Sequence, residues 1–349
     1  SMTKRSLGGL FLALALTAAA CGSDGDTDGA GSTGEAPDAA AGSLTVYSGR
    51  SEELVGPVIE QFEGETGIDV EVRYGDTAQM AGAILEEGDN SPADVYFGQD
   101  AGALGALSSN GRFQTLDAEL LDRVDPQFRS IEGHWVGVSG RARVAVYNTG
   151  ALSEGDLPPS ILDFTAPAWG DGKIGWAPTN GSFQAFVTAM RVALGDGAAR
   201  AWLEGIQANE PKVFENNTAI VEAAGAGEIE VGFANHYYLY RYLEDDPNFP
   251  AANYVFPNGD LGSLVNVAGV GILDTAEHTE EARRFVDFLL STPTQEYFAI
   301  ETFEIPLIEG VETTAALPPL ESLQQPDINL NELEDLQGTL DLMTEVGLI

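Results

Sequence analysis

The sequence predicts an α/β protein of two doubly wound lobes. Apolar runs of strand length alternate with segments whose apolar residues recur at helical spacing. The strands end in short polar, loop-prone stretches, as strands that line a crevice do. Two runs, residues 138–148 and 264–272, are long enough to cross from one lobe to the other.

The chain begins with features of export. Lys4 and Arg5 form a positive region, residues 10–16 an apolar core of signal-peptide length, and Ala18-Ala19-Ala20-Cys21 a segment resembling a bacterial lipobox. Cys21 is the only cysteine, so it has no partner for a disulfide, and it is the expected lipidation site. Residues 22–42 are small and polar without periodicity, as in a flexible tether. Asp24, Asp26, Asp28, Gly29 and Glu35 match the spacing of a calcium-binding loop, but no helix is expected on either side, so the match is discounted.

The whole chain carries a formal charge of −39, and removal of the export signal makes the remainder more acidic still. Nucleic acid is therefore excluded as a partner, since no basic run relieves the repulsion of phosphate.

Residues 44–47 read as a strand, 52–62 as a helix with Leu54, Val58, Ile59 and Phe62 on one face, and 67–72 as the next strand. A helix to Glu87 and a buried strand at 93–97 follow. The strand ends carry Ser51-Glu52, Asp76-Thr77 and Gln99-Asp100. In 138–148, alternation puts Arg141 and Arg143 on one face, where one would meet an anion and the other a structural carboxylate. A strand at 173–177 turns through Asn180-Gly181-Ser182 into a helix at 183–193, a cradle of N–H groups and hydroxyls suited to an anion. Asn216 or Asn217 caps a helix at 219–226. A helix at 280–290 follows the second long strand, and residues 330–348 read as one C-terminal helix.

The candidate chemistry lies at Tyr237 and Tyr238, where a strand hands over to a helix. A phenol loses its proton near pH ~10, but a trivalent cation such as Fe(III) displaces it, and the helix N-terminus favours the resulting charge. Tyrosine pairs at strand ends also serve as amphipathic packing, and composition alone favours that alternative.

The motifs Thr45-Val46-Tyr47-Ser48-Gly49-Arg50, Ser139-Gly140-Arg141-Ala142-Arg143-Val144, Pro178-Thr179-Asn180-Gly181 and Asn235-His236-Tyr237-Tyr238, with Glu87-Gly88-Asp89-Asn90-Ser91-Pro92-Ala93-Asp94-Val95, resemble the ferric-ion-binding periplasmic proteins of bacterial iron(III) ABC transporters. The resemblance spans nearly all of the chain after the tether. It implies a two-lobed periplasmic-binding-protein fold with mixed sheets and two crossing hinge strands. The expected lobes are residues 43–143 with 268–318, and 144–267 with 319–349. It implies no enzymatic activity, but capture of Fe(III) with a synergistic anion such as carbonate or phosphate. An extracytoplasmic, lipid-anchored monomer would then deliver the iron to an ABC permease and its ATPase.

Tyr237 and Tyr238 are the implied iron ligands, and Arg141, Asn180, Gly181, Ser182 and Asn217, with Ser51, the anion-side residues. Many relatives carry a histidine and a glutamate where this chain has Ser51 and Gln99. Glu52, Gln99 and Asp100 are therefore candidates to complete the metal shell, while His134 and His236 read as packing groups, since Fe(III) prefers charged oxygen. The alternatives are the same fold holding an anion or small organic solute, and an extracellular metal-dependent hydrolase. Against the hydrolase, His134, His236 and His278 lack metal-ligand spacing and no nucleophile elbow is present.

Overall fold

The computed structural model describes residues 42–313 and 317–349. The export signal, Cys21 and nearly all of the expected tether lie outside the described residues.

The chain opens with strand β1 (Ser43–Ser48), helix α1 (Glu52–Thr66), β2 (Asp69–Tyr74), α2 (Thr77–Glu87), β3 (Val95–Gly98) and α3 (Ala101–Ser109). Helix α1 buries Val55, Val58, Ile59 and Phe62, and stops at Gly67, whose φ of 71° and N–H bond to the Glu63 carbonyl form a left-handed cap. A short α4 (Ala118–Leu121) precedes β4 (Val136–Asn148), a strand of 13 residues buried along its whole length.

Next come β5 (Ile174–Trp176), α5 (Gly181–Leu194), α6 (Asp196–Ala208), β6 (Lys212–Val213), α7 (Asn217–Gly225), β7 (Val231–Asn235), α8 (Tyr237–Asp245) and β8 (Ala251–Tyr254). The chain then returns through β9 (Val265–Ile272), α9 (Thr279–Leu289), α10 (Thr292–Glu301) and β10 (Ile305–Pro306), and ends in α11 (Leu336–Glu345).

Strand β4 takes part in two ladders. Its residues 136–142 pair antiparallel with β9, which lies between β3 and β4, while β3, β1 and β2 continue outward in parallel. From Arg143 onward it pairs instead with β7 and then also β8, and β7 leads to β5 and β6. Pleating sends alternate side chains to opposite faces. Ala145 and Tyr147 therefore enter one core with Trp176, Phe183 and Phe233, and Val146 enters another with Ile220, Val221 and Ala234. The larger core, around Phe62, Phe97, Trp135 and Phe285, belongs to the first ladder.

Two features of the packing bear on the expected division of the chain. Residues 265–267, assigned to the second lobe, pair with Gly140, Arg141 and Ala142 in the first ladder. The tail does not pack with the second part alone. Leu323, Leu330 and Leu333 enter the first core, while Leu342 and Met343 enter the second, with Val346 and Leu348 packed against it. The single helix expected at 330–348 is correspondingly broken into a tight turn at Leu330–Glu334 and α11, with Asp335 between them as N-cap. Glycines explain the path. A Cβ at Gly102 would lie 2.5 Å from the Leu333 carbonyl oxygen and one at Gly105 2.4 Å from that of Asn331, so the tail backbone seats directly on α3.

Candidate functional site

Strand β7 passes into α8 with no intervening loop, because His236 already has helical φ and ψ of −59° and −39°. Tyr237 and Tyr238 are therefore the first two residues of the helix, at the positive end of its dipole. Tyr237 is buried and Tyr238 half-buried. Successive helical residues diverge by about 100° at the backbone, yet the two rings stack, with centroids 4.4 Å apart and planes 29° from parallel. Arg241, four residues after Tyr237 and three after Tyr238, places its guanidinium 5.6 and 5.5 Å from the two ring centroids. Burial raises the Tyr237 pKa and Tyr238 beside it adds to the rise, while Arg141 opposes both. Tyr237 is thus protonated at neutral pH.

The tyrosines border a cavity of about 630 Å³. Its wall includes Ser51, Gln99 and four carboxylates, Glu53, Glu244, Glu301 and Glu304. Glu52, the expected carboxylate, is exposed and turned toward Tyr74, and its neighbour Glu53 faces the cavity instead. Asp100, the other expected carboxylate, borders the neighbouring cavity instead, and its Oδ1 accepts the Ala103 N–H at 3.1 Å as the N-cap of α3. Gln99 is present, but its Oε1 accepts from Arg50 Nε at 2.8 Å. Among the described residues no three His, Cys, Asp or Glu side chains form a group that could hold a metal ion.

Arg50 and Glu304 form a buried ion pair beneath the cavity, and Ser139 and Thr302 donate hydroxyls to the same carboxylate. Burial pushes the Glu304 carboxyl up, but the guanidiniums of Arg50 and Arg141 and the Ser139 hydroxyl outweigh it and hold the pKa below the usual carboxylate value. Sequence reading missed Glu304, which sits in an unpatterned stretch between a helix and a two-residue strand. His236, read as a packing group, is buried with Nδ1 accepting from the Ala142 N–H at 3.0 Å and Nε2 donating to the Phe303 carbonyl at 2.8 Å. Burial pushes its pKa down to about 4, so the ring is neutral.

A second cavity, of about 540 Å³, borders Arg141, Arg143, Gly181, Ser182 and Asn235, and shares Gln99 with the first. Asn180 caps α5, its Oδ1 accepting from the Ser182 N–H at 3.0 Å. Asn217 donates to Ser182 Oγ at 3.0 Å, so Asn180 and Asn217 stand behind Ser182 and hold it. The actual cap of α7 is Asn216, through the Ala219 N–H. Ser51 lies apart from this group, in the tyrosine cavity.

Neither arginine of β4 forms an ion pair with a carboxylate among the described residues, although the Arg141 charge acts on Glu304 at longer range. Arg143 donates to Asn235 Oδ1 at 3.0 Å and Ser182 Oγ at 3.3 Å, and lies over the Phe186 ring. Its burial lowers the pKa to about 10, with the two phenols pulling the other way. The decisive feature is Arg141, only 6 % exposed, whose Nε and one terminal nitrogen have no partner, as has one terminal nitrogen of Arg143. Unpaired buried guanidinium N–H groups are costly, and an anion satisfies them.

Residues 58–322 match the family model described as bacterial extracellular solute-binding protein. The chain is 31 % identical over 311 residues to the Fe(3+)-binding periplasmic protein of Serratia marcescens, covering 88 % of this chain and 90 % of that one. It is 32 % identical to the major ferric iron-binding protein of Neisseria meningitidis serogroup B, covering 87 % and 93 % of the two chains. The crystal structure of iron-bound HitA from Pseudomonas aeruginosa superposes with a TM-score of 0.79 at 33 % identity, over 87 % of this chain and 99 % of that one. A Trichodesmium protein in complex with iron and citrate ligands gives 0.78 at 28 % identity, over 88 % and 100 %.

Proposed function

Because the chain belongs to the ferric iron-binding periplasmic protein family, non-enzymatic solute-binding proteins of ABC transporters with the periplasmic-binding α/β fold, we propose that it captures Fe(III) at Tyr237 and Tyr238. The observation that carries this reading is the pairing of two stacked phenols at a helix N-terminus with buried guanidinium N–H groups that lack a partner. A divalent ion at neutral pH does not displace the proton of a buried phenol whose pKa is raised, whereas the stronger Lewis acid does. Selectivity for Fe(III) over Ca²⁺, Mg²⁺ and Zn²⁺ follows from that competition, as does release on acidification.

A synergistic anion, carbonate or phosphate, takes the unpaired N–H groups of Arg141 together with Gly181 and Ser182, held by Asn180 and Asn217. It supplies oxygen that Ser51 and Gln99 do not. The parts built on the two ladders act as lobes that close over the metal about the junction at Ala142 and Arg143. A lipid on Cys21 tethers the protein outside the cytoplasm, and the loaded form docks on an ABC permease driven by its ATPase.

Titration of the iron-free protein with a weak ferric chelate tests the reading. A visible phenolate-to-iron band is expected, with uptake of protons by the buffer as the phenols ionise. Tyr237→Phe and Tyr238→Phe each shift or abolish the band. Uptake with unchanged stoichiometry and spectrum in the double variant would sink it.

A further inference from the structure

His236 engages every hydrogen-bonding group it has, and the partners lie on three separate pieces of the chain. Its main-chain N–H donates to the Ala142 carbonyl at 2.9 Å, and its ring Nδ1 accepts from the N–H of that same residue at 3.0 Å. Its own carbonyl accepts from Asn253 Nδ2 in β8 at 2.8 Å. Ring Nε2 donates to the carbonyl of Phe303 at 2.8 Å. The tautomer follows from the partners, because a nitrogen facing an amide N–H has to be bare, which leaves the proton on Nε2.

The places it touches are unusual. Ala142 is the last residue of β4 to pair with β9, and Arg143 the first to pair with β7, so the strand changes ladders between them. Phe303 is a non-glycine residue at φ 56°, in the left-handed region, and the next residue is Glu304 of the cavity wall. His236 also meets Tyr237 edge-on, with ring centroids 5.5 Å apart.

We infer that His236 is a positioning residue that makes the placement of the two phenols, the turn at Ala142 and the 302–304 wall depend on one another. A shift of β4 at its change of ladder is transmitted through the ring to both Phe303 and the first turn of α8. The device needs a flat ring with an acceptor on one edge and a donor on another, at a position where no charge is required. An asparagine reaches the nearer partner only, while a glutamine amide extends to the farther one. The inference rests on the proposed ferric role of Tyr237 and Tyr238 for its effect on iron, but the mechanical linkage does not.

The test compares wild type, His236→Asn and His236→Gln in two ways. Hydrogen exchange of the iron-free protein reads the linkage directly. In His236→Asn, protection should fall together in the first turn of α8 and in residues 302–306, and His236→Gln should recover part of it. Tyr240→Phe, which leaves the ring's hydrogen bonds intact, should not produce the joint loss. Loading with ferric citrate in carbonate buffer reads the consequence. The ferric band should move in His236→Asn and iron retention against a competing chelator should fall at least about tenfold, with partial rescue in His236→Gln. Loss of protection confined to α8 overturns the inference. So does an unchanged band and retention beside a lowered unfolding temperature, since that describes a ring that only stabilises. A wild type without any ferric band refutes the iron reading, while the exchange experiment still decides the linkage.

Discussion

Arg141 gives the sharpest residue-scale expectation, because removing it should affect binding far more than stability. Two of its nitrogens are buried without a partner, so Arg141→Ala relieves a desolvation cost in the iron-free protein, and the charge lost beside Glu304 offsets that relief, leaving stability little changed. The same change removes charge-assisted contacts to the anion, about 1.5–3 kcal/mol, and should lower iron retention tenfold or more in chelator competition. Retention equal to wild type would reject Arg141 as the anion's partner. Glu304 gives the pH dependence. Its folded pKa is held below the ordinary carboxylate value, so its contribution to stability is complete above that value and is lost as pH falls through the folded one. Protonation leaves Arg50 buried without its counter-charge. Denaturant melts should therefore show wild type losing stability as pH falls below the ordinary glutamate value, with Glu304→Gln less stable at neutral pH and flatter through that fall. A parallel pair of curves would show that the acid sensitivity arises elsewhere.

At the scale of elements, α8 was visible in the sequence while the course of the tail was not. The apolar run 231–234 followed by Tyr237-Tyr238 and an acidic segment marks a strand and a surface helix by local pattern alone. The tail carries equally good helical spacing, but its first half is diverted onto α3 by backbone contact at Gly102 and Gly105. That contact involves carbonyl oxygens and missing side chains, which leave no periodic trace. Gly105→Ala should therefore destabilise the protein by about 1–3 kcal/mol in denaturant melts, even though alanine is the better helix former. Limited proteolysis should cut first between residues 317 and 335. Protection equal to wild type would mean that the tail is held by α11 alone, through Arg191 with Asp335 and Thr339.

For the whole molecule, the proposed closing of the two parts predicts a smaller radius of gyration by small-angle X-ray scattering once Fe(III) and carbonate are added. The change should be absent in the double variant of Tyr237 and Tyr238, and its presence there would assign closure to the anion alone. With a formal charge of −39, the comparison belongs at a fixed ionic strength, because self-repulsion between the parts is screened by salt.

The alternating α/β order, the long strand that changes ladders, the tyrosines at a helix start and the asparagine–serine cradle at α5 were legible in local pattern, because alternation, capping and helix polarity are local. Alternation along β4 and the turn before α5 also marked Arg141, Gly181 and Ser182, which border one cavity. Long-range packing placed Glu53 and not Glu52 in the wall of the tyrosine cavity, made Asp100 the cap of α3, and set Arg50 against Glu304. It alone brought His236 to Ala142 and Phe303, residues 94 and 67 positions away. Such assignments depend on which distant segments meet and which polar groups are left without water, and no local spacing encodes either.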